Sequence, residues 1–320
     1  MKRLALNTLV ALAASVALFA ANPSAAASGG ATIPDVSDST HATPKTAAFF
    51  ESFFTAKSRH DVNATMNHFS TESLTYIDAA LGWPFYSHEA LKGVFAQYMP
   101  QWPAAGLSYP TRIYGDEHSA LVAFTDTPEL FGGEIRILAA IDLDKGKIVR
   151  WVDYWDGRHF GADLAAKMRT PADKFPTDFK ESSAPSNASA KIRTAASKLH
   201  AAFANNDAKL ASAMFSDDAV YEDMTLRTQV MGKLAIERYL ARALAKLPGG
   251  SGSTIRHVVG SDMGGGFEWQ TAPKYEKTVR RGITAVALDK DGKITRLTTV
   301  WDGALLAQAE VQALTVLSIE

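Results

Sequence analysis

The residues best suited to chemistry lie on two predicted strands, each with a tyrosine and an aspartate two positions apart. Tyr76 and Asp78 form one pair, and Tyr221 and Asp223 form the other. Because side chains alternate along a strand, each tyrosine faces the same side of its sheet as its aspartate. A carboxyl group among apolar side chains has a raised pKa and can exchange a proton near neutral pH. The alternative is a structural tyrosine beside a surface aspartate, and both alternatives stay open for each pair.

A second set of candidates lies on a later strand that ends in Trp-Asp-Gly. On this strand Trp151, Asp153 and Trp155 share one face, so Asp153 is a candidate base if that face lines a cavity. A second copy of the strand has Thr299 in place of the aspartate and keeps a tryptophan at Trp301. The three tryptophans are candidate ligand contacts. The alternative for Asp153 is an exposed strand face.

Three further residues are candidates with a structural alternative. His257 lies near the start of a strand and suits acid–base chemistry if it faces a pocket, whereas a solvated strand end is the alternative. Arg136 and Arg281 are candidates for binding an acidic ligand or for pairing with carboxylates of the sheets. The sequence has no cysteine, and we find no histidine–carboxylate spacing typical of a metal site. We therefore expect neither a metal nor another cofactor.

The candidate residues occur twice because the chain repeats itself. Matching residues stand 145 positions apart, namely Tyr76 and Tyr221, Asp78 and Asp223, Arg136 and Arg281, and Asp144 and Asp289. One extra residue in the last turn then aligns Trp155 with Trp301. In both halves the predicted order is helix, helix, strand, helix and then a meander of strands. The sequence therefore predicts an α+β protein made of two tandem domains.

The predicted boundaries follow changes in composition along the chain. We assign residues 1–27 to a signal peptide, 28–42 to a flexible leader, 43–157 to the first domain, 158–187 to a linker, 188–305 to the second domain and 306–320 to a C-terminal tail. The first domain opens with a helix that has Thr43 as N-cap and Pro44 at its first position. The linker is predicted from its prolines and its small polar residues.

The sequence of the first 27 residues predicts that the protein is exported. Lys2 and Arg3 precede a mostly apolar stretch that reaches Ala21, and Ala25 to Ala27 provide a cleavage site, which is typical of a secretory signal peptide. A membrane anchor is the alternative, but the stretch is short and interrupted by polar residues. We expect a periplasmic or secreted protein without a membrane contact after cleavage. The net charge of −1 provides no general attraction to nucleic acid.

The segment from Val220 to Met224, together with Met231 to Ile236, resembles the SnoaL-like branch of the nuclear transport factor two-like superfamily. The likeness covers both halves, and it implies two cone-shaped domains, each a curved antiparallel sheet wrapped around helices (a cystatin-like roll). In this family a pocket lies at the wide end of the cone. Members include polyketide cyclases, ketosteroid isomerases and many proteins without enzymatic activity, so the fold alone does not give the reaction.

Three classes of function follow from the resemblance. The first is cofactor-independent acid–base catalysis of the isomerase, cyclase or dehydratase type on a small hydrophobic molecule. The second is non-catalytic binding of such a molecule in a roomy apolar pocket. The third is a protein-interaction module with cones filled by their own side chains. Since single-domain relatives often dimerise through the open face of the sheet, we also expect the two domains to pair as an intramolecular pseudo-dimer.

Overall fold

The first half consists of a mixed sheet with a long helix packed across it. A computed structural model describes residues 31–160, 168–171, 173–181, 187–271 and 279–319, so the predicted signal peptide lies outside the described residues. Its helices are α1 (Pro44–Ser58), α2 (Val62–Met66), α3 (His88–Tyr98) and α4 (Pro128–Phe131), and its strands are β1 (Asp38–Ala42), β2 (Thr75–Asp78), β3 (Trp83–Phe85), β4 (Ser108–Gly115), β5 (Ser119–Asp126), β6 (Ile135–Asp144) and β7 (Lys147–Trp155). The strand order across the sheet is β1-β4-β5-β6-β7-β2-β3.

The second half repeats this arrangement. Its helices are α5 (Ala190–Ala204), α6 (Ala208–Ser212), α7 (Lys233–Ala243) and α8 (Gln308–Thr315), and its strands are β8 (Phe215–Asp223), β9 (Thr228–Met231), β10 (Ser253–Ser261), β11 (Gly264–Thr271), β12 (Arg281–Leu288) and β13 (Ile294–Trp301). The sheet order β10-β11-β12-β13-β8-β9 matches that of the first sheet from β4 onward. Among the described residues, no helix is long and apolar enough to cross a bilayer.

The repeat extends to the pairing of individual residues. In the first sheet β2 runs parallel to β7 and places Asp78 opposite Asp153. In the second, β8 runs parallel to β13 and places Asp223 opposite Thr299. The α+β fold predicted from the sequence is confirmed, but each sheet is mixed and not wholly antiparallel. The difference arises because the strand with the Tyr-x-Asp pair returns beside the last strand of the meander.

Two segments predicted to lie outside the domains, residues 38–42 and 308–315, form regular structure. Residues 38–42 were expected to belong to a flexible leader, yet they form β1, which pairs in parallel with β4. This pairing uses backbone groups, so it leaves no hydrophobic alternation in the sequence for a prediction to use. In the predicted C-terminal tail, α8 buries Val311 and Leu314 against the second domain.

Helix caps and apolar faces follow the sequence closely. Thr43 caps α1 by accepting a hydrogen bond from the Thr46 N–H, with Pro44 at the first turn as predicted. The same helix buries Phe50, Phe53 and Phe54 against the concave face of the first sheet. The aromatic stripe of α1 is therefore core, and it fixes the helix over the face that carries the candidate residues.

The outer faces of the two sheets pack against each other. Val152 and Tyr154 of β7 share one apolar cluster with Val259 and Ile283 of the second half. Both sheets belong to a single compact unit that begins at Thr32. Each half thus has one sheet face for its own helices and one for the other half.

Glycine makes part of this sheet-to-sheet contact possible. A Cβ on Gly266 of β11 would lie 2.5 Å from a methyl carbon of Leu121 in β5 and 2.3 Å from the Thr284 carbonyl oxygen. Only a residue without a side chain fits there, because atoms at these distances overlap. Described parts of the linker also reach this contact, since Phe179 is buried in the same cluster.

Candidate functional site

The first cone encloses a carboxyl group held by two hydrogen bonds from aromatic side chains. Asp153 lies on β7 facing α1 and is only 6% exposed. The Tyr76 hydroxyl donates to its Oδ2 at 2.6 Å, and the Trp151 indole N–H donates to its Oδ1 at 2.5 Å. Among the described residues no cation pairs with it, because the nearby Lys57 forms its ion pair with Asp126 at 3.3 Å.

This environment moves the acid–base behaviour of Asp153 into the neutral range. Burial raises the pKa of Asp153 to about 7, and the neighbouring Asp78 carboxylate adds to the rise. The hydrogen bond from Tyr76 opposes the rise but does not cancel it. Burial and the Asp153 charge raise the pKa of Tyr76, so its hydroxyl stays protonated as a donor. A carboxyl group with these properties can accept or release a proton near pH 7.

Aromatic rings surround the carboxyl group. The Trp151 ring is stacked on Tyr76 with centroids 6.3 Å apart and meets Phe53 at 5.0 Å. Half-buried rings of Phe85 and Phe95 each lie 6.3 Å from the Tyr76 ring. The interior beneath Asp153 is thus filled by aromatic side chains, and the rings beside Tyr76 are half-buried.

Asp78 is on the same side of the sheet but has a different set of partners. Its Oδ1 accepts hydrogen bonds from the backbone N–H groups of Ala80 and Leu81 at 3.0 and 2.8 Å. The indole N–H of Trp155 donates to its Oδ2 at 3.1 Å. Burial raises the pKa of Asp78 to about 6, although these bonds to the ionised form oppose the rise. Its oxygens hold the turn after β2 and fix the Trp155 ring.

The second cone repeats the Asp78 arrangement but lacks the Asp153 arrangement. The Leu226 N–H donates to Asp223 Oδ1 at 2.9 Å, and the Trp301 indole N–H donates to Oδ2 at 3.2 Å. Burial raises the pKa of Asp223 to about 6. A cavity of about 20 Å³ beside these groups is lined by Tyr221 and Thr299 among others. This volume holds one or two water molecules.

Three predicted site residues lie outside both cones. Arg136 is exposed and pairs with Glu134 on the surface at 2.7 Å. His257 lies at the contact between the sheets, where its Nε2 is 2.7 Å from Asp142 Oδ2. A shift of register between Ile255 and His257 interrupts the alternation of β10, and the histidine lies in neither of the two expected places, a pocket or a solvated strand end.

Arg281 is the third of these residues, and it is buried where the linker meets the second sheet. Its guanidinium lies 4.4 Å from the centre of the Phe179 ring. Arg136 and Arg281 therefore differ in surroundings although they match in sequence, because only Arg281 is covered by the linker. Neither arginine reaches the carboxyl groups of the cones.

A buried network of charges lies between the halves, and the sequence did not lead us to expect it. Glu268 of β11 is fully buried and accepts hydrogen bonds from Arg150 at 2.6 Å, Arg256 at 3.1 Å and the Tyr154 hydroxyl at 2.8 Å. Burial alone would raise the pKa of Glu268, but the two arginines outweigh it and lower the pKa to about 2. Linker residue Glu181 accepts from Arg150 at 2.7 Å. The available signal was a charged residue within mostly apolar strands, namely Arg150 in β7, Arg256 in β10 and Glu268 in β11.

In each half a helix packs in the hollow of a curved mixed sheet and a polar group lies inside. This architecture is that of the cone-shaped α+β domains. Within this class, residues 196–297 match the family model described as SnoaL-like domain. The resemblance to the SnoaL-like family stated from the sequence is therefore confirmed for this part of the chain. A comparison with curated proteins finds no match.

Several solved structures are similar to single stretches of the chain. A steroid delta-isomerase from Pseudomonas aeruginosa has 15% identity and a TM-score of 0.32, covering 42% of this chain and 93% of that one. A SnoaL-like protein of unknown function from Burkholderia thailandensis has 12% identity and a TM-score of 0.31, with 36% and 96% covered. An uncharacterized protein with a cystatin-like fold from Silicibacter pomeroyi has 17% identity and a TM-score of 0.31, with 38% and 80% covered.

Proposed function

We propose that the first cone binds a small, flat, apolar molecule that carries a carbonyl or hydroxyl oxygen, and that Asp153 exchanges a proton with it. The observation that carries this proposal is the state of Asp153, which is buried, has no cationic partner in the described part of the chain and accepts a hydrogen bond from Tyr76 at 2.6 Å. A structural carboxylate at such a depth normally has a cation or several backbone donors. Asp78 and Asp223 have backbone donors, and Asp153 has only aromatic donors.

The proposed reaction is an isomerisation that needs no cofactor. The ionised Asp153 removes a proton from the carbon beside a carbonyl group, and the electron pair moves to the carbonyl oxygen. The Tyr76 hydroxyl turns from Asp153 to that oxygen and stabilises its negative charge. The substrate has a double bond next to the carbon that loses the proton, so the electrons shift through it, and Asp153 returns a proton, which can exchange with solvent, to the far carbon of that double bond. The double bond moves into conjugation with the carbonyl group, and nothing is oxidised or reduced. A pKa near 7 suits both directions of this transfer.

Binding without turnover is the second candidate function. It is favoured by the close aromatic packing on Trp151, with Phe53 at 5.0 Å, which leaves a ligand the half-buried edge of the cone. In that case Tyr76 and Asp153 serve to bind a ligand hydroxyl. The second cone, with Thr299 opposite Asp223 and a cavity the size of one or two waters, serves as scaffold in both cases.

The experiment combines binding with proton exchange. A panel of conjugated cyclic ketones, including 3-ketosteroids, is incubated with the protein in D₂O, binding is followed by tryptophan fluorescence, and deuterium incorporation beside the carbonyl is followed by NMR. We expect Asp153→Asn to lower the exchange rate by about 100-fold or more while binding persists. Thr299→Val, at the matching position of the second cone, is the control and leaves the rate unchanged.

The outcomes separate the two functions. Binding by the wild type without exchange supports the non-catalytic function. If neither binding nor exchange appears for any compound, both candidates are rejected and a protein-interaction module becomes the better hypothesis. Equal exchange by the wild type and Asp153→Asn would reject Asp153 as the base.

We further propose that both halves are SnoaL-like domains and that the chain is exported. The first proposal is supported by the shared strand order of the two sheets. It is also supported by their equivalent residue pairs, since Asp78 lies opposite Asp153 in the first sheet and Asp223 lies opposite Thr299 in the second. The second is supported by the basic, apolar and Ala-x-Ala pattern of residues 1–27. Amino-terminal sequencing of protein from a bacterial periplasmic fraction tests export, with Ser28 as the expected first residue. Protein that still begins with Met1 and is found only in the cytoplasmic fraction would overturn the proposal of export.

A further inference from the structure

A buried arginine lies between the two halves and has no carboxylate partner among the residues that the structure describes. Arg281 is the first residue of β12 and is 5% exposed. Its guanidinium packs on the rings of Phe179 and Phe175, at 4.4 and 5.6 Å from their centres. One nitrogen, Nη2, donates to the Pro176 carbonyl oxygen at 2.5 Å. Aromatic faces and one carbonyl group hold the cation, but they do not neutralise its charge.

The other two nitrogens of this guanidinium carry N–H groups that are free to donate hydrogen bonds. Nε and Nη1 are buried and have no hydrogen-bond partner among the described residues. No described carboxylate lies within ion-pair distance of Arg281, whereas the neighbouring interface arginines Arg150 and Arg256 both pair with Glu268. Leaving a buried charge unpaired is strongly unfavourable. Consistent with this, burial lowers the pKa of Arg281 to about 10.

Arg281 also lines a small, partly open cavity. This cavity has a volume of about 10 Å³ and is lined by Tyr154 and Trp155 of the first half, by Asp302 of the second and by Phe175 of the linker. Such a volume holds one particle the size of a water molecule or a monatomic ion. An organic acid or a phosphate is too large for it.

The one carboxylate in the wall already has its own partners. Asp302 forms an ion pair with Arg169 and accepts hydrogen bonds from the N–H groups of Gly157 at 3.0 Å and Ala304 at 2.9 Å. The carboxylates of Asp178 and Glu268 act on the Arg281 charge from a distance, but neither forms an ion pair with it, so no described carboxylate contacts its free N–H groups at the cavity. A bound water would fill the space but would not balance this charge.

We propose that this cavity is a binding site for a single small inorganic anion of the size of chloride, held by the free N–H groups of Arg281. The site draws its walls from both halves and from the linker, so the ion ties β12 and the linker to β7 of the first half. This site is separate from the proposed acid–base site, since neither Asp153 nor Tyr76 lines the cavity.

The repeat provides a matched control for this proposal. Arg136 occupies the position equivalent to Arg281 in the first half, but it is exposed and already paired with Glu134. Arg136→Gln and Arg281→Gln therefore make the same chemical change at an open site and at the proposed anion site. Differences between the two variants report on the cavity and not on the loss of one positive charge.

The test measures thermal unfolding at constant ionic strength in sodium chloride and in sodium gluconate, whose anion is too large for the cavity. We expect chloride at ten times its dissociation constant to raise the Tm of the wild type and of Arg136→Gln by about 2–5 °C relative to gluconate. The Tm of Arg281→Gln is expected to be the same in both salts. Equal chloride shifts in the wild type and Arg281→Gln would overturn the proposal.

A crystallographic test does not depend on the stability of a variant. Wild-type crystals grown or soaked in sodium bromide are expected to give an anomalous peak in contact with the Arg281 guanidinium. Electron density for water without an anomalous signal at this cavity rejects the anion site, even if Arg281→Gln fails to fold.

Discussion

The Asp302 carboxylate of the second half accepts a hydrogen bond from the backbone N–H of Gly157 in the first half, at 3.0 Å. These residues belong to the two copies of the Trp-Asp-Gly motif, so the ends of the repeated strands meet each other. The glycine of the second motif is equally close to the first half, because a Cβ on Gly303 would lie 2.6 Å from the Nε of Arg158. The glycines of both motifs are therefore required by the pairing of the halves.

Gly157→Ala is expected to destabilise the protein by about 1–2 kcal/mol, since overpacking at a fixed contact costs energy of this order. The new Cβ would lie 2.8 Å from Asp302 Oδ1, and Asp302 is held in place by Ala304 and Arg169. Urea unfolding followed by circular dichroism measures the change. Gly93→Ala is the control, because Gly93 lies in α3 with nothing within 4 Å of the added carbon, and its free energy of unfolding should rise slightly.

Asp153 is expected to make stability depend on pH in an unusual direction. Its pKa is about 7 in the folded protein against 3.8 as the ordinary value, so the folded state keeps a proton that the unfolded chain releases between these limits. The free energy of unfolding therefore falls as the pH rises from about 4 to about 7, by roughly 4 kcal/mol at most from this group.

Denaturation curves at several pH values test this dependence. Asp153→Asn should flatten the fall in stability but leave part of it, because Asp78 and Asp223 also have raised pKa values of about 6. Asp144→Asn, at an exposed hairpin turn, should reproduce the wild-type curve. An unchanged slope in Asp153→Asn would contradict the raised pKa.

Asp78 and Asp223 are expected to act as structural groups. Replacing either with alanine leaves an indole N–H and backbone N–H groups buried without acceptors, which costs about 2–4 kcal/mol. The two losses should be similar, since the two aspartates have equivalent partners. Chemical unfolding measures them, and Asp144→Ala is the control. A small loss for Asp78→Ala combined with complete loss of proton exchange would assign Asp78 to the chemistry instead.

Glu268 is expected to hold the halves together through its arginine partners. Glu268→Ala leaves Arg256 with Glu181 as its described acidic partner and Arg150 with Glu181 and the more distant Asp142, so it should cost about 3–5 kcal/mol. The double variant Arg150→Met/Glu268→Met should recover part of this loss, because the excess buried charge is gone. The control Glu134→Ala breaks an exposed pair and should cost less than about 1 kcal/mol. Equilibrium unfolding compares the three variants.

Features that depend on neighbouring positions in the chain could be predicted from the sequence. The Thr43 cap, the buried face of Phe50, Phe53 and Phe54, and the shared face of Trp151 and Asp153 all follow from helical or strand periodicity. The duplication itself was visible as matching residues at one offset. The internal repeat thus gave the element order twice, which is why the fold class was predicted correctly.

The sequence by itself determined the fold class, the repeat and the face of β7 that carries the candidate base. Only the tertiary structure decided which groups meet across the chain, such as Tyr76 with Asp153, His257 with Asp142, and the unpaired Arg281 beside the linker. The physical reason is that hydrogen bonds and ion pairs between distant segments depend on how two sheets pack and on local shifts of register, and neither leaves a periodic pattern in the sequence. Arg136 and Arg281 illustrate this limit, because equivalent positions in the repeat became a solvated ion pair in one half and a buried cation in the other.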